Sequence, residues 1–399
     1  MLSQIVASIG LLFDIAGALA VVSGILNSYE RFTVPAIAPL VYNLGIIGSA
    51  IVLAPLIGVQ GLAIGVVIGS LGHLAVQLPD LRKVGQRYDL TIGLGHPGVR
   101  QVVWLMGPRM LGLAAGQLNF LASTFLASGL TEGSLTAYNY AFQLMQVPVG
   151  VVGVSVAIAL FPRLSRAAAL GKIREVRATV AQALRILIFA AAPLTAIMIV
   201  LRGPLTAVFF QYGLFSASST ERTAGALLFF TLGLVAFIVV AVLARAFYAL
   251  QDTRTPVVWA VVAVALNVPL MAWLVGPMGI DGLALATAAT VTLEVLGLVW
   301  ALHSRLDGLN LDEVGPSLAR SALAGGAAAL VMFGGLRSVE LWLPGLLIDP
   351  LGRLLILLVL SGIGLAAFLL VAAGLRSAEL GEMRRLLGGR FAPREQAGQ

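Results

Sequence analysis

The sequence predicts an all-α polytopic membrane protein with about eleven transmembrane helices, and three observations carry that prediction. Hydrophobic residues make up 59% of the 399-residue chain and charged residues only 11%, where a soluble domain carries about 25% charged residues. Apolar runs long enough to cross a hydrocarbon core recur from one end of the chain to the other. Basic residues then fall on every second loop, as they do when alternate loops face the cytoplasm. The spans should be helices. In lipid a backbone must satisfy its own polar groups, and the strand-length alternation of a membrane barrel is absent.

In order, span A runs from Leu2 to Leu26, B from Ala36 to Ile57, C from Leu62 to Leu78 and D from Val102 to Ala127. Span E covers Thr136 to Phe161, F Val180 to Leu201, G Ala224 to Leu250 and H Val257 to Val275. Span I covers Leu283 to Leu302, J Leu318 to Leu336 and K Leu351 to Leu375, before a basic tail that is expected to be partly disordered. The start does not read as a signal peptide, because it lacks a basic leading region and its apolar stretch is too long.

Charge placement tests this order. One set of alternate loops, with the tail, holds seventeen basic residues, among them Arg82, Lys83, Arg163, Arg166, Lys172 and Arg384. The other set holds three: Arg202, Arg222 and Arg337. A missed helix would scramble that alternation, so the tail is expected in the cytoplasm and, with eleven spans, the start of the chain outside. The net charge of +7 therefore reads as membrane topology and not as a nucleic-acid surface.

The chain also repeats itself. Pro35 and Pro256, and the triplets Gly61-Leu62-Ala63 and Gly282-Leu283-Ala284, are each 221 residues apart at matching places around spans B–C and H–I. Spans A–C thus match G–I in the same orientation, which is how many transporters are built. Three spans (D–F) precede the second copy and none precedes the first, so the symmetry expects three further helices ahead of span A.

No chemistry of an enzyme is visible. There is no cysteine, the three histidines (His73, His96, His303) are far apart, and no phosphate-binding loop, zinc motif or nucleophilic triad occurs. The chain is read as a non-enzyme without cofactor or metal, so transport would draw on an ion gradient, the membrane potential or a partner. Polar residues inside spans mark the candidates for function. Asp14, midway along span A, has no route to water and should face a cavity or a partner. Arg109 in span D and Glu294 in span I are open between structure and function. Arg185 and Arg245 lie near span ends, where long side chains reach the interface. Spans D and E hold Gln117, Asn119, Ser123, Asn139, Gln143 and Gln146. The last three share one face by their spacing. Pro148 follows Gln146 at a place where the helix is expected to bend. This polar set either bonds helix to helix or lines a cavity.

Several segments, in order, resemble the MurJ/MviN family of lipid II flippases in the multidrug/oligosaccharidyl-lipid/polysaccharide exporter superfamily. They include Ile25 to Phe32 with Pro35 to Asn43, Gln77 to Gly85, Met106 to Pro108, and Ala127 to Leu130. Pro148 to Val151, Phe161 to Ser165, Phe209 to Gly213 and Phe247 to Pro256 continue the series. The resemblance implies a two-bundle exporter fold of fourteen helices, here with a truncated first bundle and two C-terminal helices that form a groove for a lipid tail. The corresponding parts are a partial N-terminal bundle (1–78), a cytoplasmic linker (79–101), a six-helix bundle (102–302), an appended helix pair (303–375) and a basic cytoplasmic tail (376–399).

It further implies a monomer in the bacterial inner membrane that moves an undecaprenyl-diphosphate-linked peptidoglycan precursor outward by alternating access. A related exporter of other polyprenyl-linked sugars or of drugs, or an inactive fragment, are the alternative readings. Two departures stand out. The family's essential arginines lie in two helices with no counterpart here, and Gln143 and Gln146 stand where the family often has an arginine and an acid. Cationic partners for a diphosphate would then come from Arg109, from Arg245 or from the helices with no counterpart here.

Overall fold

A computed structural model describes residues 17, 20–29, 31–84 and 97–382, with side chains between 97 and 115 described only at 99–100, 110 and 114. Asp14 and most of span A lie outside the described residues, as does the side chain of Arg109. The described residues are helical throughout, without a strand. Among the described residues eight helices are long and apolar enough to cross a membrane, and a bent pair brings the number to nine if it is counted as one span.

The chain divides into two compact units, 1–96 and 97–399. In the first, α1 (Thr33–Val52) and α2 (Val59–Lys83) pack as an antiparallel pair behind a helical stretch at 20–28. Small residues let the two backbones close in. A Cβ on Gly45 would stand 2.6 Å from the Gly69 Cα, and Ser49 Oγ donates to the Gly61 carbonyl at 2.6 Å. Lipid tails are as apolar as leucine, so this close fit, and not hydrophobic exclusion, holds such a pair.

The second unit contains α3 (Pro97–Ser128), α4 (Ser134–Ala169), α5 (Ile173–Val200), α6 (Ala217–Leu232) and α7 (Leu234–Ala249). It continues with α8 (Arg254–Met278), α9 (Ile280–Arg305), α10 (Leu311–Trp342) and α11 (Pro350–Gly374). At about 1.5 Å per residue, each long helix spans the roughly 30 Å of a hydrocarbon core. Spans D, E, F, H, I, J and K are all found as helices, mostly longer than their apolar stretches because polar ends extend past the apolar run.

Two spans differ from a straight rod. In α4 the expected bend after Pro148 takes the form of a π-helical turn, Val149–Val154. Proline breaks the regular hydrogen-bond ladder, and the widened turn absorbs the fault. Gly153 in this turn lies against α7 so tightly that a Cβ would come within 2.8 Å of the Ile238 carbonyl oxygen. Span G is not one helix. It breaks at Gly233 into α6 and α7, bent by 47°, where a Cβ would meet the Ala288 Cα at 2.8 Å.

The core sits around α7, whose Ile238, Val242, Leu243 and Ala246 are fully enclosed by α4, α5 and α9. A second apolar cluster joins α5 to the last two helices through Phe189, Ala328, Met332 and Phe368, with the two phenyl rings 4.9 Å apart. Outward-facing leucines such as Leu330 and Leu370 are 74% exposed, which suits a lipid-facing surface.

The 221-residue repeat has a structural counterpart. Gly58 and Gly279 each join the paired helices with matching left-handed geometry, φ 63° ψ −140° and φ 59° ψ −134°. Three residues on, a Cβ at Gly61 would strike the Leu53 backbone and one at Gly282 the Leu274 backbone, again 221 residues apart. Both turns thus fold back over the same position in the preceding helix.

Candidate functional site

The polar residues picked out on spans D and E separate into two kinds. Asn119 on α3 accepts a 2.6 Å hydrogen bond from Asn267 Nδ2 on α8. Asn267 is 2% exposed and its own Oδ1 has no partner among the described residues. Ser123, also buried, donates back to the Phe120 carbonyl at 2.9 Å. These residues bond helix to helix or satisfy themselves locally, as polar groups inside a bundle do. Sequence reasoning passed over Asn267, although an asparagine at the centre of an apolar span was signal enough.

Gln117, Gln143 and Gln146 are exposed and Asn139 is half-buried on the surface of the second unit. Among the described residues none of these four side chains has a hydrogen-bond partner. Among the described residues, the α4 face of Asn139, Gln143 and Gln146 and the side chain of Gln117 on α3 are thus left open. Arg245 on α7 is half-buried and donates to the Ala241 carbonyl one turn back at 3.2 Å. Glu294 is half-buried on α9 and unpaired among the described residues.

Arg185 is more than a side chain reaching for the interface. It pairs with Glu313 at 3.0 Å, Glu379 at 2.8 Å and Glu382 at 3.5 Å. In the stretch after α11, Glu379 is 1% exposed. Burial would raise the Glu379 carboxyl, but hydrogen bonds from Ser377 and Arg185 outweigh it and hold the group at about 2. On the same end, Asp252 accepts from the backbone of Arg254 and Thr255 and pairs with Arg305 at 2.8 Å. Burial works against that carboxylate too, yet the Thr255 hydrogen bonds and Arg305 leave it below its usual range. Loops that the charge alternation assigned to one side are thus joined in space.

These helices, with apolar outer surfaces and polar clusters confined to ends and helix contacts, define a multi-pass α-helical membrane protein. The family model described as "Lipid II flippase MurJ" matches residues 3–349. The chain belongs to this family. It is 34% identical over 319 residues to the lipid II flippase MurJ of Burkholderia cenocepacia, covering 78% of this chain and 61% of that protein. It is 32% identical over 367 residues to the probable lipid II flippase MurJ of Vibrio cholerae, covering 90% and 69%. The chain therefore spans about six-tenths of the length of the first of these relatives. A solved structure of a lipid II flippase MurJ in an inward closed conformation superposes with a TM-score of 0.72 at 21% identity, over 92% of this chain and 71% of that one. It shows a shared fold.

Proposed function

We propose that this protein moves a lipid-linked peptidoglycan precursor from the cytoplasmic to the outer leaflet of the bacterial inner membrane by alternating access. Membership of the MurJ family over residues 3–349 carries the reading. The parallel repeat supports it, since repeats of this kind hold a substrate path between them. The face formed by Asn139, Gln143 and Gln146, unpaired among the described residues, is the stretch assigned to that path, together with Gln117 on α3. Asp14, Arg109 and Arg245 are the charged candidates, the two arginines for the diphosphate. The part boundaries 1–78, 79–101, 102–302, 303–375 and 376–399 stand as the proposed organisation, with the tail in the cytoplasm. The cargo carries the specificity and the protein supplies no bond-breaking chemistry. Movement is driven by an ion gradient or the membrane potential, and the working unit is a monomer.

The test is growth of a bacterium depleted of its own lipid II flippase while this chain is expressed. Restored growth supports the reading. Lysis despite membrane insertion at the level of a functional control overturns it for this chain. Proteoliposomes holding either lipid II or another polyprenyl-linked sugar then separate the flippase from a related exporter.

A further inference from the structure

A cleft of about 1250 Å³ opens at one end of the second unit. Five pieces of chain build it: the start of α4, the end of α5 with the short helix Arg202–Phe210, the start of α6, the α8–α9 turn and the end of α10. All five are ends that the loop alternation places on the side opposite the basic loops. The loops of that side hold three basic residues, Arg202, Arg222 and Arg337, and all three line this one cleft, while Arg353 at the start of α11 lies outside it and is held by Gln211 and the Leu347 carbonyl. Basic residues are disfavoured on the far side of a membrane, so their convergence calls for a physical reason.

Their partners leave capacity unused. Arg337 is occupied, with Glu340 at 2.7 Å and its guanidinium 5.3 Å from the Phe333 ring centre. Among the described residues Arg202 donates only to the Ile199 carbonyl, at 2.6 Å. Arg222 uses one nitrogen, for the Glu132 carbonyl at 2.8 Å and Thr131 Oγ1 at 3.4 Å. A guanidinium has five N–H donors, so Arg202 and Arg222, both half-buried, keep most of theirs free. Neither pairs with a carboxylate among the described residues. Asp281, also in the cleft, stands in the first turn of α9 and pairs with neither arginine among the described residues. The remaining walls mix apolar residues, including Val200, Met278 and Leu336, with the hydroxyls of Ser134, Ser218 and Thr220 and the exposed carboxylate of Glu221, which pairs with neither arginine among the described residues. The volume exceeds the roughly 300–1,000 Å³ of an ordinary small-molecule pocket.

We propose that this cleft binds an oxyanion, a phosphate or carboxylate, through the free donors of Arg202 and Arg222, with room for a group attached to it. The source is either the head group of an anionic amphiphile or a soluble anion, and the two are told apart by experiment. In one arm the full chain in phosphatidylcholine nanodiscs is titrated with inorganic diphosphate by calorimetry. In the other the chain is purified from mixed phosphatidylcholine and phosphatidylglycerol membranes, and retained phosphatidylglycerol is counted by native mass spectrometry.

The variants are Arg202→Gln with Arg222→Gln, the matching lysine pair, and Arg163→Gln with Arg166→Gln at the opposite end as a control. The glutamine pair is expected to weaken whichever anion binds by about tenfold or more. The lysine pair keeps it within about threefold and the control leaves it unchanged. Binding in the diphosphate arm alone identifies a soluble ligand, and in the lipid arm alone a head group. Anion binding in neither arm, or binding that the glutamine pair leaves intact while thermal melts show a folded protein, overturns the proposal. Neither arm measures transport, so the site stands or falls apart from the flippase reading.

Discussion

Arg185 Nε on α5 donates to Glu379 Oε1 at 2.8 Å, and the carboxylate it reaches is buried although it lies 194 residues further along the chain. The same guanidinium holds Glu313 at the start of α10 and Glu382 beyond α11. One side chain thus fastens both ends of the last helix pair to the six-helix bundle. Removing one partner of a buried ion pair costs about 3–5 kcal/mol, because the other charge is left without compensation. Arg185→Met strands a buried carboxylate, whereas Glu379→Gln leaves the arginine two others. Arg185→Met is therefore expected to lower the thermal midpoint in detergent clearly more than Glu379→Gln. Equal losses would show that the hub is not organised around the arginine.

The same pair sets a pH dependence. Glu379 titrates at about 2 in the folded protein against an ordinary 4.5. A carboxylate depressed in this way stabilises the folded form fully above its unfolded value and loses that contribution as pH falls toward the folded one. Amide exchange over residues 377–382 is expected to stay slow above pH 4.5 and to accelerate between there and about pH 2. In Glu379→Gln the protection is lower and flat over that window. Protection that increases on acidification would contradict the assignment.

The repeated turns make a paired prediction. A Cβ at Gly61 would stand 2.6 Å from the Leu53 carbonyl carbon, and one at Gly282 2.7 Å from the Leu274 carbonyl carbon. The obstacle is backbone in each case and cannot swing away. Gly61→Ala and Gly282→Ala are each expected to cost about 1–3 kcal/mol, the usual range for overpacking. Gly48→Ala and Gly276→Ala meet nothing within 4 Å and serve as neutral controls. Thermal unfolding of the four variants decides the matter, and a loss confined to one member of the repeat would break the equivalence.

Much of this architecture was legible in the sequence, because the features that encode it are long and redundant. Apolar run lengths placed the helices, and the glycine and proline spacing marked two turns whose backbone angles agree within a few degrees. Pro148 announced a bend, though not that a π-helical turn would supply it. What escaped was long-range pairing. Glu379 lies in a stretch read as a basic tail, and nothing local says that a residue 194 positions away will bury it. Span G read as one helix because Gly233 is a tolerated residue there. Its reason, contact with the Ala288 backbone, exists only in three dimensions. The polar set on α3 and α4 was found as a set, but Asn119 could not be told from Gln143 without its partner Asn267.

That distinction is itself testable. Asn119 and Asn267 share a hydrogen bond of 2.6 Å, and interhelical bonds of this kind contribute about 0.6–2 kcal/mol. A double-mutant cycle with Asn119→Ala and Asn267→Ala is expected to give a coupling energy in that range in thermal or denaturant unfolding. A coupling near zero would mean that the contact does not hold α3 to α8.

Gln143 and Gln146 should behave in the opposite way. Both are exposed and without partners among the described residues, and surface changes away from special features usually stay within about 0.5 kcal/mol. Gln143→Leu and Gln146→Leu are therefore expected to melt like the parent. If their face borders the path of a polar head group, each leucine removes two donors and an acceptor from that path. Rescue of flippase-depleted cells, or lipid II movement in proteoliposomes, should then fall at unchanged expression and stability. A polar replacement such as Gln143→Asn separates this from mere crowding, because it restores the hydrogen-bonding groups in a smaller side chain. Transport that survives both leucines would remove this face from the substrate path and leave Arg109 and Arg245 as the positions to examine.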